Sequence, residues 1–311
     1  MVRYLVGRLM HALWALAGVV LVVFILINAS GDPAALLVSP EAPNADEVIA
    51  DLRQRLGYDR PVYVQFVLAV RRIARGDFGE SIHRRPALRT VTERLPATLK
   101  LAGLALLLAA VIGIPLGALA AIRRGRALDK VAMTFSLLGL TLPSFWLSII
   151  LILLFALRLG WLPAFGGSTP THIILPALAL APYSMAVIAR ITRSSMLEVL
   201  GKDYVRTARA KGLAEATVVF RHALRNAALP IVTMLGLRAG VLLSGAIIVE
   251  TVFAYPGAGQ MVIQAVQWRD LTVVTAFVMV FATIIILINL ATDFLYVYLD
   301  PRIRLTGLSH R

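Results

Sequence analysis

Six apolar stretches constrain this chain more than any other feature. Residues 9–29, 101–122, 131–157, 173–189, 227–249 and 271–292 carry almost no charge. Most reach the roughly 20 residues that an α-helix needs to cross a hydrocarbon core about 30 Å thick. Within a bilayer every backbone N–H and C=O must find a partner inside the protein, so isolated runs of this kind are helices. The pattern predicts an all-α polytopic membrane protein with six transmembrane helices. The fourth run is the shortest and contains Pro176 and Pro182, which leaves its ends the least sharply drawn. Composition agrees: 59% of the 311 residues are hydrophobic and the mean hydropathy is +0.81, outside the range of soluble globular chains.

Charge then orients the spans. Residues 123–130 hold four basic side chains and one acid, and residues 190–225 hold eight against three. The alternate short connections carry only Arg158 and Arg269, while the tail adds Arg302, Arg304 and Arg311. Short loops rich in Lys and Arg stay in the cytoplasm, so both termini are expected there. Residues 30–96 hold ten Arg and nine acids, a length that escapes the short-loop rule and is expected to fold outside the membrane. The first run has Arg3 and Arg8 before it like a signal sequence, but it exceeds a typical signal core and lacks a convincing cleavage site, so it reads as a retained span. The expected organisation is residues 1–29 as terminus and first helix, 30–96 as an extracytoplasmic insertion, 97–296 as the five-helix core, and 297–311 as a cytoplasmic tail.

Within the insertion, residues 44–57 have the acids and apolar spacing of a capped amphipathic helix, and Pro61 opens a second one through about Arg75. The second carries Val62, Phe66, Val70 and Ile73 at helical spacing, suited either to the membrane surface or to the first helix.

Several chemistries are excluded. There is no cysteine, hence no disulfide, thiolate metal site or cysteine nucleophile. The net charge of +14 is dispersed among loops, where anionic lipid headgroups account for most of it, and no recognised nucleic-acid module accompanies it. Gly201-Lys202-Asp203 lacks the upstream glycine and the following Ser or Thr of a phosphate-binding loop. No protease or hydrolase motif supports an intramembrane enzyme.

Inside the apolar runs a few residues stand out. Arg238 interrupts the fifth run and should face protein or water, as a pathway residue meeting an anionic cargo group, or by snorkelling or pairing with another subunit. Glu250 lies about 18 Å further along the same helix; a structural bond to the AYPGAG turn is its simplest role, and a cargo amino group the alternative. Gly236, Gly240 and Ser244 form a small-xxx-small stripe suited to close helix packing. Pro143, beside Ser144 and Phe145, should kink the third helix and free backbone carbonyls.

The most patterned polar segment is DYVRTARAKGLAEATVVFRHALRN, residues 203–226. Asp203 suits a helix N-cap, Val205, Ala208 and Leu213 fall near one face, and Gly212 suits a left-handed stop. This predicts a short helix, a turn and a second helix. Arg206, Arg209 and Lys211 border the apolar ridge, which would fit a groove on a partner; a cytoplasmic loop resting on anionic lipid would also collect such charge.

The order of these residues decides between the two. DYVRTARAKGL followed by RHALRNAALP resembles the coupling loop of ABC importer permeases, in the dipeptide/oligopeptide/nickel branch. It departs from that loop's general pattern at Arg206, Thr207, His222 and Arg225, as the peptide-type variant does. LGYDRPVYVQF, RGDFGESI, ERLPATLKLA, TLPSFW, GWLPAFG, VETVFAYPGAG and DPRIR extend the resemblance to the B-type permease subunit over nearly the whole chain.

The resemblance implies a type I ABC importer permease fold in a bacterial or archaeal cytoplasmic membrane. It implies that Asp203, Tyr204, Arg206, Thr207, Ala208, Arg209, Lys211, Gly212 and Leu213, within a coupling loop at 192–226, dock on a cytoplasmic ATPase, with Ala208 and Gly212 at positions that allow close approach. The implied partners are a C-type permease completing a heterodimer, two ATP-binding subunits that hold ATP and Mg, and an extracytoplasmic solute-binding protein that docks on 30–96; the chain itself would carry no cofactor. The stripe at Gly236, Gly240 and Ser244 would then lie at the central subunit contact or along the pathway. The implied cargo is a di- or oligopeptide, with nickel, glutathione or haem as alternatives within the family. An ATP-independent channel or carrier is the alternative from another class; inverted repeats with matched broken helices would mark a carrier, and none is evident.

Overall fold

The computed structural model describes residues 2–29, 44–56, 59–82 and 84–299. Residues 30–43 of the insertion and the tail from residue 300, with its DPRIR motif, lie outside the described residues.

Among the described residues the chain is helical, with one isolated bridge between Glu80 and Pro86. The α-helices are α1 (Val2–Ala29), α2 (Ala45–Leu56), α3 (Val62–Ala74), α4 (Ala87–Ile122), α5 (Ala127–Thr141), α6 (Ser144–Leu151), α7 (Ile174–Leu200), α8 (Asp203–Ala210), α9 (Glu215–Thr217), α10 (Arg225–Val252), α11 (Ala258–Gln267) and α12 (Leu271–Leu299). Two π-helical stretches, Ile152–Arg158 after α6 and Val218–Leu224 between α9 and α10, continue their neighbours. Five helical stretches are long and apolar enough to cross a membrane, and α5 with α6 makes a sixth if that bent pair is one span.

Two expectations change. The second apolar run was read from residue 101, yet α4 starts at Ala87 and passes through Pro96 and Pro115. Each proline removes only one backbone donor, and the rest of a long helix carries the segment through. The third run is not merely kinked at Pro143: the helix axis turns by 101° between α5 and α6. Leu142 is extended at ψ 120°, and Pro143 at ψ 136°. Proline crowds the residue before it out of the helical region, so two successive extended residues end one helix before the next begins.

The described residues fall into two compact units, Met1–Pro96 with Gln260–Leu287, and Ala97–Gly259 with Ile288–Arg311. In the first unit, Phe66 of α3 meets Phe24 of α1 edge to face at 5.2 Å between ring centres, leaving Val62, Tyr63 and Val67 of α3 exposed. After α3, Gly76 and Gly79 take the left-handed conformation. The chain then reaches Asp270, a buried carboxylate that no sequence pattern singled out. It accepts bonds from the Ser81 hydroxyl at 2.6 Å, the Ile82 N–H at 3.0 Å and the Val273 N–H at 3.1 Å. One carboxylate thus fixes the RGDFGESI segment and caps the first turn of α12.

In the second unit, α7 is the element on which the others close. A Cβ on Gly113 would stand 2.8 Å from the carbonyl oxygen of Met185, and one on Gly139 would stand 2.9 Å from that of Pro182. One on Gly117 would collide with the Ala189 carbonyl. Glycines therefore let α4 and α5 touch the backbone of α7, the small-residue mode of membrane helix packing. Asp129, buried in the first turn of α5, takes a two-pronged bond from Arg193 of α7, at 2.6 and 2.8 Å, and the Gly125 N–H at 2.9 Å. These two residues are separated by 64 positions in sequence, and the pairing ties the α4–α5 turn to α7.

Candidate functional site

The polar segment between α7 and α10 is built as the sequence led us to expect, with its apolar face reversed. α8 begins at Asp203, with Lys202 rather than Asp203 in the N-cap position. Asp203 is one residue inside, where its charge still suits the positive helix end. At the other end the Gly212 N–H bonds to the Arg209 carbonyl at 2.9 Å and the Leu213 N–H to that of Ala208 at 3.4 Å. Gly212 has φ 77°. These are the two bonds of a Schellman stop with glycine in the left-handed position.

Val205 and Ala208 do not face outward. Both are buried in a cluster with Val218 of the π-helical stretch, bordered by Val199 and Leu200 of α7. The ridge expected to enter a partner's groove is instead the seat of α8 on its own chain. The correction has a physical reason: an eight-residue helix is not stable alone and takes its stability from its apolar face. Left exposed are Tyr204, Arg206, Thr207, Arg209, Lys211, Gly212 and Leu213, together with Asp203. Arg209 closes the turn by a forked bond to Glu215 at 3.1 and 2.7 Å, a partner that sequence reasoning missed. A further pair, Arg206 to Asp203 at 3.7 Å, is exposed and contributes little.

Beneath this seat lies a second cluster in which Met196 of α7 meets Val219, Ala223, Ala227 and Ile231 of the stretch leading into α10, with Ala118 and Ala121 of α4. α8 is thus bolted to the ends of two long helices.

Those same helices line a cavity of about 310 Å³ at the α5–α6 break. Its walls are Leu140 to Ser144 and Leu147 at the break, Ala179 to Ser184 of α7 except Ala181, and Val241, Leu242 and Gly245 of α10. Pro143 and Ser144 therefore belong to it, while Phe145 does not and is half exposed. Arg238, one turn before Val241, does not line the cavity itself but places its guanidinium carbon 5.2 Å from the ring centre of Tyr183, which does, a cation–π contact that holds it beside that wall. Tyr183 and Ser184 escaped the sequence reading, although two polar residues after Pro182 in an apolar run were a signal.

The other candidates lie elsewhere. A side chain at Gly236 would collide with Thr292 of α12, so this end of the stripe packs within the chain. Ser244 is exposed and bonds back to the Gly240 carbonyl at 3.5 Å. Glu250 is fully buried under the AYPGAG turn: a Cβ at Gly257 would collide with its carboxylate, and one at Gly259 would stand 2.8 Å from it. Its carbonyl accepts the Tyr255 N–H at 2.9 Å. Burial first, and the Glu250 charge second, push the Tyr255 phenol up. The turn is further held by Thr98 of α4, whose hydroxyl oxygen accepts the Ala258 N–H at 2.8 Å, and by the Gly166 N–H bonding to the Phe253 carbonyl at 3.1 Å.

Membrane-length helices, one of them broken at a cavity, with a short amphipathic helix seated on the end of another, define a polytopic membrane protein. Comparison with known proteins makes the class specific. Residues 113–305 match the family described as binding-protein-dependent transport system inner membrane component, and residues 1–102 match the N-terminal region of the same kind of component. The chain belongs to this family of multi-pass membrane permeases. It is 43% identical over 306 residues to the glutathione transport system permease protein GsiC of Salmonella choleraesuis, covering 98% of this chain and 99% of that one. It is 38% identical to the dipeptide transport system permease protein DppB of Alkalihalophilus pseudofirmus, covering 98% of this chain and all of the other. The fold is shared with a chain of the inward-facing MetNI methionine ABC transporter, at TM-score 0.57 and 18% identity over 68% of this chain and 96% of that one.

Proposed function

We infer that this chain is the B-type permease of an ATP-driven importer of short peptides, forming half the pathway beside a C-type permease. The observation that carries the reading is full-length similarity to dipeptide and glutathione permeases. The seated helix α8 supports it by offering an exposed polar and basic surface between two long helices. Both termini lie in the cytoplasm, residues 30–96 receive a solute-binding protein outside, and ATP with Mg is bound by two partner ATPases rather than by this chain. Val205 and Ala208 anchor α8 to α7 and to the π-helical stretch that leads into α10, so a push on its exposed face reaches the cavity about 24 Å along α7 from Leu200. A second reading of the cargo, glutathione itself, is favoured by the higher identity to GsiC.

The test is purification from the native membrane with identification of the associated chains, then ATPase activity with loaded binding protein. A second permease and two ATPases whose activity rises with a peptide-loaded binding protein are expected. A chain that purifies alone and conducts solute without ATP would remove the reading. Uptake of a labelled α-linked dipeptide against labelled glutathione separates the two cargoes.

A further inference from the structure

The cavity at the α5–α6 break holds more hydrogen-bond donors than packing requires. Ser184 lines it and is only 1% exposed, yet its hydroxyl has no hydrogen-bond partner among the described residues. Buried hydroxyls in helices ordinarily bond back one turn, as Ser136 does to Ala132 at 2.9 Å and Ser148 to Ser144 at 2.7 Å. Arg238 likewise has a buried Nε without a partner, and no acid pairs with it among the described residues. α6 opens at the cavity wall with Pro143 as N-cap and no side-chain cap, so the positive end of its dipole lies at that wall. Among the described residues, no Asp or Glu lines the cavity. A guanidinium, a hydroxyl and a helix start, with no anion of their own, form the complement of a carboxylate. At about 310 Å³ the space is at the small end of ligand cavities.

We propose that this cavity is a carboxylate subsite, which takes the terminal carboxylate of the cargo during passage, with Arg238 at its rim and Ser184 and the first turn of α6 in its wall. The proposal rests on the import reading above. In secondary transporters the N-termini of broken helices meet anionic substrate groups, and the same electrostatics would serve at this break. Because the binding protein releases cargo before it reaches this depth, the subsite acts on turnover and not on capture.

The experiment uses the intact transporter with its partners in proteoliposomes. Turnover is measured at saturating loaded binding protein for labelled dialanine and for dialanine amide, which lacks the carboxylate. The wild type should turn over the acid faster. Arg238→Gln should lower acid turnover about tenfold while moving amide turnover less than about twofold, and Arg238→Lys should recover part of the loss. ATPase stimulation by loaded binding protein reports that the complex is assembled. If Arg238→Gln fails to assemble, Ser184→Ala carries the same acid-to-amide comparison, with a loss confined to the acid. Equal wild-type turnover of the two peptides, or a parallel change in both for the variants, would overturn the subsite and leave peptide import standing. Failure of the wild type to take up either dialanine peptide or glutathione would overturn import and, with it, the subsite.

Discussion

Gly212 separates backbone strain from bulk at an exposed position. Its φ of 77° is costly for any residue with a Cβ, yet none of the other described residues beyond its chain neighbours lies within 4 Å of that Cβ. Alanine there costs about 1–2 kcal/mol of backbone strain and adds almost no bulk, whereas tryptophan adds the same strain and a large side chain on the outer surface. Asparagine tolerates the conformation best. If the surface docks on an ATPase, transport should fall in the order Gly212→Asn, Gly212→Ala, Gly212→Trp, with membrane insertion intact throughout. Equal transport in the alanine and tryptophan variants would show that nothing packs against this position. The Asp129–Arg193 fork carries a different kind of expectation. Asp129 is 4% exposed, so Asp129→Ala strands a half-buried guanidinium and should cost about 3 kcal/mol, at the lower end for breaking a buried pair. Arg193→Lys keeps the charge but not the two-pronged geometry and should cost less. Thermal inactivation of the purified complex ranks the two.

Helices were legible wherever one physical demand set their length. The bilayer requires long apolar runs, and the first, second, fourth, fifth and sixth runs all lie within helices that the structure contains. The third run shows the limit: Pro143 announced a disturbance, but whether two helices meet at a kink or at 101° depends on what they pack against, and that information is spread across α7 and α10. The same limit reversed α8. Helical spacing identified Val205 and Ala208 as one face, and no local pattern states whether a face meets its own chain or another. The partners of Asp129 and Asp270 were invisible for the same reason, being supplied across 64 and 189 positions. Contacts between elements can still be tested singly. Gly139 faces the Pro182 carbonyl, a backbone atom that cannot rotate away. Gly139→Leu should force α5 off α7 and destabilise the purified chain by about 1–3 kcal/mol or more, with loss of transport. Gly103 on α4 has open space around it, so Gly103→Leu should leave the thermal stability of the same preparation unchanged.

At the scale of the molecule the break at Pro143 decides how often the chain crosses the membrane. If α5 and the stretch from α6 through Arg158 together form one crossing, residues before α5 and residues after Arg158 lie on opposite sides; if the pair turns back, they share a side. The positive-inside distribution favours a full crossing, because residues 123–130 and 190–225 are both rich in Lys and Arg and are separated by two apolar runs. Two crossings return the chain to its starting side, whereas a single one would place one of these basic segments outside. The absence of cysteine makes the test direct. Arg124→Cys, Ser168→Cys and Lys211→Cys each introduce the sole thiol at an exposed position. In intact cells a membrane-impermeant maleimide should label the Ser168→Cys variant and spare the other two, and in inverted membrane vesicles the pattern should reverse. Labelling of Arg124→Cys together with Ser168→Cys would make the bent pair re-entrant. The cavity between the break, α7 and α10 would then open to one side only, and it could not serve as the gated midpoint of an alternating pathway.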